Sequence, residues 1–158
     1  MSDSLADFLP YRLSRLSEAV SAEIRPIYKA MHGLNRPEWR VLAALADLGS
    51  CTATEAAAHS AQHKTKVSRA VYALESRRWL KRETDPRDRR SEILTLTAAG
   101  RAAYDSLITP LRSRAMSLVS TLDPGDAEAL VRGLAALEAA LDLAAEAPAG
   151  VTDRATSR

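Results

Sequence analysis

Residues 64–72 read Lys-Thr-Lys-Val-Ser-Arg-Ala-Val-Tyr and carry two kinds of chemistry on one short run. Val67, Ala70, Val71 and Leu74 recur at i, i+3, i+4 and i+7, which predicts a helix with one apolar stripe facing a core. The other face presents Lys64, Thr65, Ser68, Arg69 and Tyr72. These cations, hydroxyls and an aromatic are the groups that meet phosphates and base edges in a major groove. Gln62, His63 and Lys66 at the start of this helix, with Thr54 upstream, complete the first candidate set. Arg87, Arg89 and Arg90 form a second one. The chemistry on offer is recognition of a polyanion, with double-stranded DNA as the expected partner.

Catalysis has no comparable support. The chain has no nucleophile elbow, no Gly-rich phosphate loop and no metal motif, and glycine is scarce. No enzyme activity and no cofactor are expected. His59 and His63 lie four apart, with Cys51 and His32 elsewhere, but the pair spans a turn instead of sharing a helical face. Metal ligation is therefore not expected either.

The elements that must position these residues can be read around them. Thr52-Ala53-Thr54-Glu55 has the spacing of a capping box and opens a short Ala-rich helix ending near His59. A tight turn at Ser60-Ala61-Gln62 leads into the basic helix, giving a helix-turn-helix with the second helix as reader. Downstream, Leu80 to Thr84 and Glu92 to Leu96 suit two strands around Asp85-Pro86-Arg87-Asp88-Arg89-Arg90-Ser91. Helix, turn, helix and basic hairpin together make a winged helix-turn-helix.

Charge supports that reading. The chain holds 22 Lys and Arg against 20 Asp and Glu, a net +2. Between residues 59 and 90, however, ten basic residues face four acidic ones, a local +6 set in a remainder of −4. A basic block confined to one supersecondary motif is the footprint of a polyanion partner, where a scattered run would be a solvated face. The single cysteine, Cys51, excludes an intramolecular disulfide. No long apolar run or charged-then-apolar leader is present, so neither a membrane span nor a signal peptide is expected, and a cytoplasmic location is the simplest.

In chain order, residues 7–33 predict an amphipathic helix with Leu9, Leu13, Leu16, Val20, Ile24, Ile27 and Met31 on one seam. Pro26 should kink or interrupt it, and Gly33 should end it. Residues 35–97 hold the winged helix, opened by Asn35 as N-cap with Glu38 at N3 and Leu34 set to pack on Trp39. Thr97 caps a long helix in which Pro110 predicts a bend. Asp123-Pro124 starts another, with Leu130, Leu134, Leu137 and Leu141 as its stripe. Residues 98–147 thus form C-terminal helices, and residues 148–158 a disordered tail. The fold class is mainly α, with a two-stranded β-wing. The seams outside the winged helix argue for a homodimer clasped by both ends of the chain.

Asp85-Pro86-Arg87-Asp88-Arg89-Arg90, followed by Leu94-Thr95-Leu96-Thr97-Ala98-Ala99-Gly100 and preceded by Val67-Ser68-Arg69-Ala70-Val71, resembles the MarR (multiple antibiotic resistance regulator) family of bacterial transcription factors. The resemblance covers roughly residues 8 to 142. It implies a dimeric, ligand-responsive regulator, expected to be a repressor, and a structural role for Asp85 and Asp88 in shaping the wing. His63 stands where related sequences often carry Asp, a better helix cap, which leaves Ser60 as the alternative cap. Some relatives switch by oxidising a cysteine in the first helix, whereas Cys51 lies between the second and third.

The same resemblance implies an effector. The Tyr11-Arg12-Leu13-Ser14 helix with Pro37-Glu38-Trp39-Arg40 is similar to the branch that answers to hydroxycinnamates or their CoA thioesters. That would bring Arg12 or Arg15, Tyr28, His32, Trp39 and Arg40 into one cleft holding an aromatic carboxylate or aryl-CoA. A guanidinium beside aromatic side chains suits such an anion by bidentate pairing and ring packing. On residue chemistry alone, a surface salt bridge or dimer contact is the favoured reading of Arg12, and the resemblance shifts the balance toward a ligand. Two other functions stay open: a ligand-blind architectural DNA-binding protein, and redox sensing through Cys51.

Overall fold

The computed structural model describes residues 4–86 and 88–143. Arg87 and the expected tail at 148–158 lie outside the described residues. After a 3-10 turn at Leu5–Asp7, the order is α1 (Leu9–His32), α2 (Arg36–Leu48), β1 (Ser50–Thr52), α3 (Ala53–His59), α4 (Lys64–Ser76), β2 (Leu80–Thr84), β3 (Glu92–Leu96), α5 (Ala98–Val119) and α6 (Pro124–Ala140). The opening turn is capped, with Ser4 Oγ accepting from the Ala6 amide.

Helix boundaries follow local chemistry. Gly33 takes the left-handed conformation (φ 64°) that ends α1, its amide donating to Lys29 O. Asn35 and Glu38 exchange side-chain-to-amide hydrogen bonds across the first turn of α2, and Thr52 and Glu55 do the same in α3. Each capping box satisfies two amides that would otherwise have no helical partner. Of the two effects expected of Pro26, interruption does not occur: α1 runs through it. Pro26 and Ala22, whose carbonyl loses its intrahelical donor, are both exposed, so water can meet the freed group. Pro110 is likewise carried inside α5.

The sheet departs from the expected two strands. It has three, in the order β1-β3-β2, with both pairings antiparallel. Strand β1 is only three residues long, squeezed between the Gly49 that ends α2 and the Thr52 that caps α3. No periodicity can show in so short a run. Its pairing of Cys51 with Leu94 ties the root of the wing to the helix-turn-helix.

The core of residues 4–118 is built from Tyr28 and Leu34, from Val41, Leu42 and Leu45 of α2, and from Val67, Val71 and Leu74 of α4. Leu94 and Leu107 close it. Cys51 is buried there, 4% exposed, and burial together with the nearby Glu55 carboxylate pushes its thiol up to about 11. A thiol so protonated and enclosed is a poor nucleophile at neutral pH, which speaks against redox sensing by this residue.

Residues 119–143 belong to a second compact unit. Its helix α6 begins at Asp123-Pro124 as the sequence indicates, although the Asp123 side chain makes no capping bond. Leu130, Val131 and Leu134 on it, and Leu141 just past its end, are all exposed. On α1, Leu9, Tyr11, Leu13, Leu16 and Val20 are exposed as well, as is Phe8 just before it.

Arg78, between α4 and β2, is a non-glycine residue at φ 60°. Its side chain is exposed, while its carbonyl accepts from Thr97 Oγ1 at 2.7 Å and holds the turn. The left-handed conformation costs an L-residue about 1–2 kcal/mol, part of which glycine returns through its freer unfolded chain. Arg78→Gly is therefore expected to raise stability by about 0.5–1 kcal/mol in a reversible thermal or urea melt. A fall in the midpoint would show that the arginine side chain, and not its backbone, matters at this turn.

Candidate nucleic-acid interface

Helix α4 divides as its sequence requires. Val67, Ala70, Val71 and Leu74 are buried, while Lys64, Thr65, Lys66, Ser68 and Arg69 are exposed and Tyr72 is 69% exposed. One face is fixed to the core, chiefly against α2 and α3, and the polar face is left to solvent. His63 caps the helix itself: its Nδ1 accepts from the Thr65 amide at 3.3 Å. Ser60, the alternative cap, is buried and donates to Ala56 O at 2.6 Å, closing α3. Gln62 turns inward, its amide nitrogen reaching Ser60 Oγ (3.1 Å) and Pro37 O (3.5 Å). It shapes the turn and is aimed away from the open face.

The wing stands beside this face. Thr54, Ser68, Arg89 and Arg90 line one cleft of about 450 Å³ with Thr52, Thr84 and Ser91. Sequence reasoning missed the last three; their only signal is that each is a hydroxyl at a strand end. Asp88 shapes the wing tip by accepting from the Arg90 amide at 3.0 Å, and the Asp85 amide donates to Ser91 O at 2.9 Å. At the wing's root, the Arg82 guanidinium reaches Glu75 at 2.9 Å and Glu92 at 3.2 Å. Burial acts to lower the Arg82 pKa, and the hydrogen bonds it donates to Glu92 and Glu75, together with the charges of those carboxylates, outweigh it, so the group is held more firmly charged.

The six residues tied by resemblance to a ligand separate into three places. Tyr28, Trp39 and Arg40 share a cleft of about 190 Å³ with Ser17, Ser21, Ile24 and Arg36. Arg12 and Arg15 line another groove, with Tyr11, Leu16 and Ala19. At roughly 100° per residue, Ser17, Ser21, Ile24 and Tyr28 lie on nearly the opposite side of α1 from Arg12, Arg15 and Ala19. Within one chain the two sets do not meet. His32 lies elsewhere again, its Nε2 at 2.8 Å from Ser106 Oγ and its ring edge-on to Trp79.

The first of these clefts has ligand-like chemistry. Tyr28 is 1% exposed, and its hydroxyl lies near the Arg25 guanidinium without a well-formed hydrogen bond among the described residues. Burial raises the Tyr28 pKa against the opposing pull of Arg25 and Arg36, which keeps the phenol protonated as a donor. Arg40 is half-buried, and its pKa is lowered first by burial and then by the charge of Arg36. Arg36 in turn bonds Glu18. Trp39 stacks between Tyr28 (6.2 Å) and Tyr104 (5.9 Å), giving the cleft an aromatic wall.

Residues 32–91 match the model of the MarR family. The matched segment runs from the end of α1 through the wing. Solved structures agree in fold along most of the chain. A MarR-family transcriptional regulator from Silicibacter pomeroyi is 29% identical, with a TM-score of 0.70 over 86% of this chain and 98% of that one. BpsR of Bordetella bronchiseptica, whose DNA binding is regulated by 6-hydroxynicotinic acid, is 24% identical, with a TM-score of 0.74 over 87% and 98%. NadR in complex with 4-hydroxyphenylacetate is 22% identical, with a TM-score of 0.71 over 87% and 96%. No curated protein matches the chain significantly. MarR-family members are transcription regulators and not enzymes. No helix among the described residues is long and apolar enough to cross a membrane, and no group of three metal-ligating side chains occurs among them.

Proposed function

We propose that this MarR-type chain is a homodimeric, sequence-specific DNA-binding regulator, acting as a repressor, that an aromatic acid releases from its operator. The observation that carries the DNA reading is that Ser68, on the exposed face of α4, lines the same cleft as Arg89 and Arg90 of the wing. A reader helix and a basic hairpin side by side suit a major groove and the flanking phosphates or minor groove. The dimer is supported by the exposed apolar residues of α1 and α6, which a second copy of the chain would cover.

The effector reading rests on the Tyr28–Trp39–Arg40 cleft. A carboxylate there would neutralise Arg40 and relieve its repulsion by Arg36, accept from the Tyr28 hydroxyl, and lay its ring on Trp39. At about 190 Å³ the cleft falls below the roughly 300–1,000 Å³ usual for drug-sized ligands, which favours a single-ring acid over an aryl-CoA. BpsR and NadR are named with hydroxylated aromatic acids of that size.

With 4-hydroxyphenylacetate and 4-hydroxybenzoate as probes, wild-type protein should leave its duplex in a concentration-dependent gel shift. Arg40→Gln should need at least about tenfold more probe, the cost of one charge-assisted pair, with probe-free DNA affinity near wild type. Release of Arg40→Gln at wild-type concentrations would move the effector out of this cleft. A duplex held intact by millimolar benzoates, cinnamates and their CoA thioesters would favour a ligand-blind architectural protein.

A further inference from the structure

We propose that Arg82 is a positioning residue for DNA binding, clamped between Glu75 of the reader helix and Glu92 of the wing so as to fix the wing's distance from that helix. This rests on the reading of α4 and the wing as the DNA interface. Arg82 sits on β2, and its Nε (3.0 Å) and Nη2 (2.9 Å) both reach Glu75 Oε2, on the last turn of α4. Its Nη1 reaches Glu92 Oε2, on β3, at 3.2 Å. One guanidinium therefore joins three elements. Arg can do this because its planar fork fixes the direction of each donor, which a lysine ammonium cannot.

The charge of the cluster argues for geometry and against direct contact with DNA. Two carboxylates around one guanidinium leave −1 at the root of a cleft whose rim carries Arg89 and Arg90. An arginine already turned toward two acids is a poor phosphate ligand, and a net negative charge beside a phosphate costs affinity. What the trio gains is a defined angle between reader and wing. Only residues 77–79 otherwise link α4 to β2 along the chain.

The two explanations differ in sign at Glu75. If the acids act only through charge, Glu75→Gln removes a negative group beside DNA and tightens binding. If they hold the clamp, Glu75→Gln weakens binding despite the charge gained. On a duplex selected from a random pool, both Glu75→Gln and Arg82→Gln should lose roughly three- to tenfold in affinity, and the salt slope should fall toward that of protein whose wing does not reach the DNA. The base preference read by α4 should persist. The double variant should be no weaker than the worse single one, and Arg82→Lys should restore only part of the loss.

Hydrogen exchange on the DNA-free protein supplies an arm that needs no binding. Amide exchange in the β2–β3 hairpin, including the Asp85 amide bonded to Ser91, should rise in both single variants while α2 and α4 core amides stay protected. Tighter binding by Glu75→Gln, or hairpin exchange unchanged in both variants, would overturn the clamp. Should wild-type protein bind no duplex, the DNA reading fails and the exchange arm alone decides whether the clamp holds the wing.

Discussion

Gly100→Ala is expected to cost about 3 kcal/mol or more in stability, lowering the thermal midpoint by about 6–12 °C. A Cβ built on Gly100 would lie 2.0 Å from the Trp79 carbonyl oxygen and 2.8 Å from its carbon. Both are backbone atoms, so no side chain can swing aside. That carbonyl also accepts from the Thr97 amide at 3.0 Å. The Thr97 hydroxyl accepts from the Gly100 amide and donates to Arg78 O. Separating α5 from Trp79 would thus break the start of the helix and the turn that leads into the wing together. Gly125 and Gly133 have open space where a Cβ would go, which makes Gly133→Ala a fitting control. A Gly100→Ala protein melting within about 2 °C of wild type would mean the junction yields more readily than close packing allows.

The second large effect concerns the wing. Arg89→Ala with Arg90→Ala should weaken binding on every duplex by roughly tenfold to a hundredfold at moderate salt. The slope of log affinity against log salt should shrink by about two units, close to one for each phosphate that is no longer neutralised. Both residues are exposed and line the cleft with Ser68 and Thr54, and neither side chain is tied up in an ion pair among the described residues. The fold should be indifferent to their removal, since the Asp88-to-Arg90 bond uses the backbone amide. Fluorescence titrations at several salt concentrations would measure the slope. An unchanged slope would take the wing out of the interface.

Much of this was legible in the sequence because it rests on local rules. The two capping boxes, the Gly33 stop and the stripe of α4 each depend on residues within one or two turns. Strand β1 was not, because three residues between two helix caps carry no pattern and only the pairing with β3 defines them. The Arg82 clamp and the close approach of Gly100 to Trp79 were hidden for a related reason: each joins elements whose spacing is set by tertiary packing. The ligand set shows both limits. Tyr28, Trp39 and Arg40 converge because α1 and α2 pack through them. Proximity in sequence to an apolar seam drew in Arg12 and Arg15, yet helical phase puts them on the far side of α1 from that cleft. Ser17 and Ser21, on the Tyr28 stripe at i−11 and i−7, were the available signal.

The central claim is that the outward face of α4 reads DNA sequence, and selection of duplexes from a random pool by wild-type protein and by Arg69→Ala tests it most directly. Wild type should enrich a pseudo-palindrome with half-site centres about 10 bp apart, or a multiple of that. Arg69→Ala should bind the selected duplex about 1–3 kcal/mol more weakly and lose preference at one position in each half-site. A pool with no enriched motif, or an Arg69→Ala protein with wild-type affinity and wild-type preference, would contradict it.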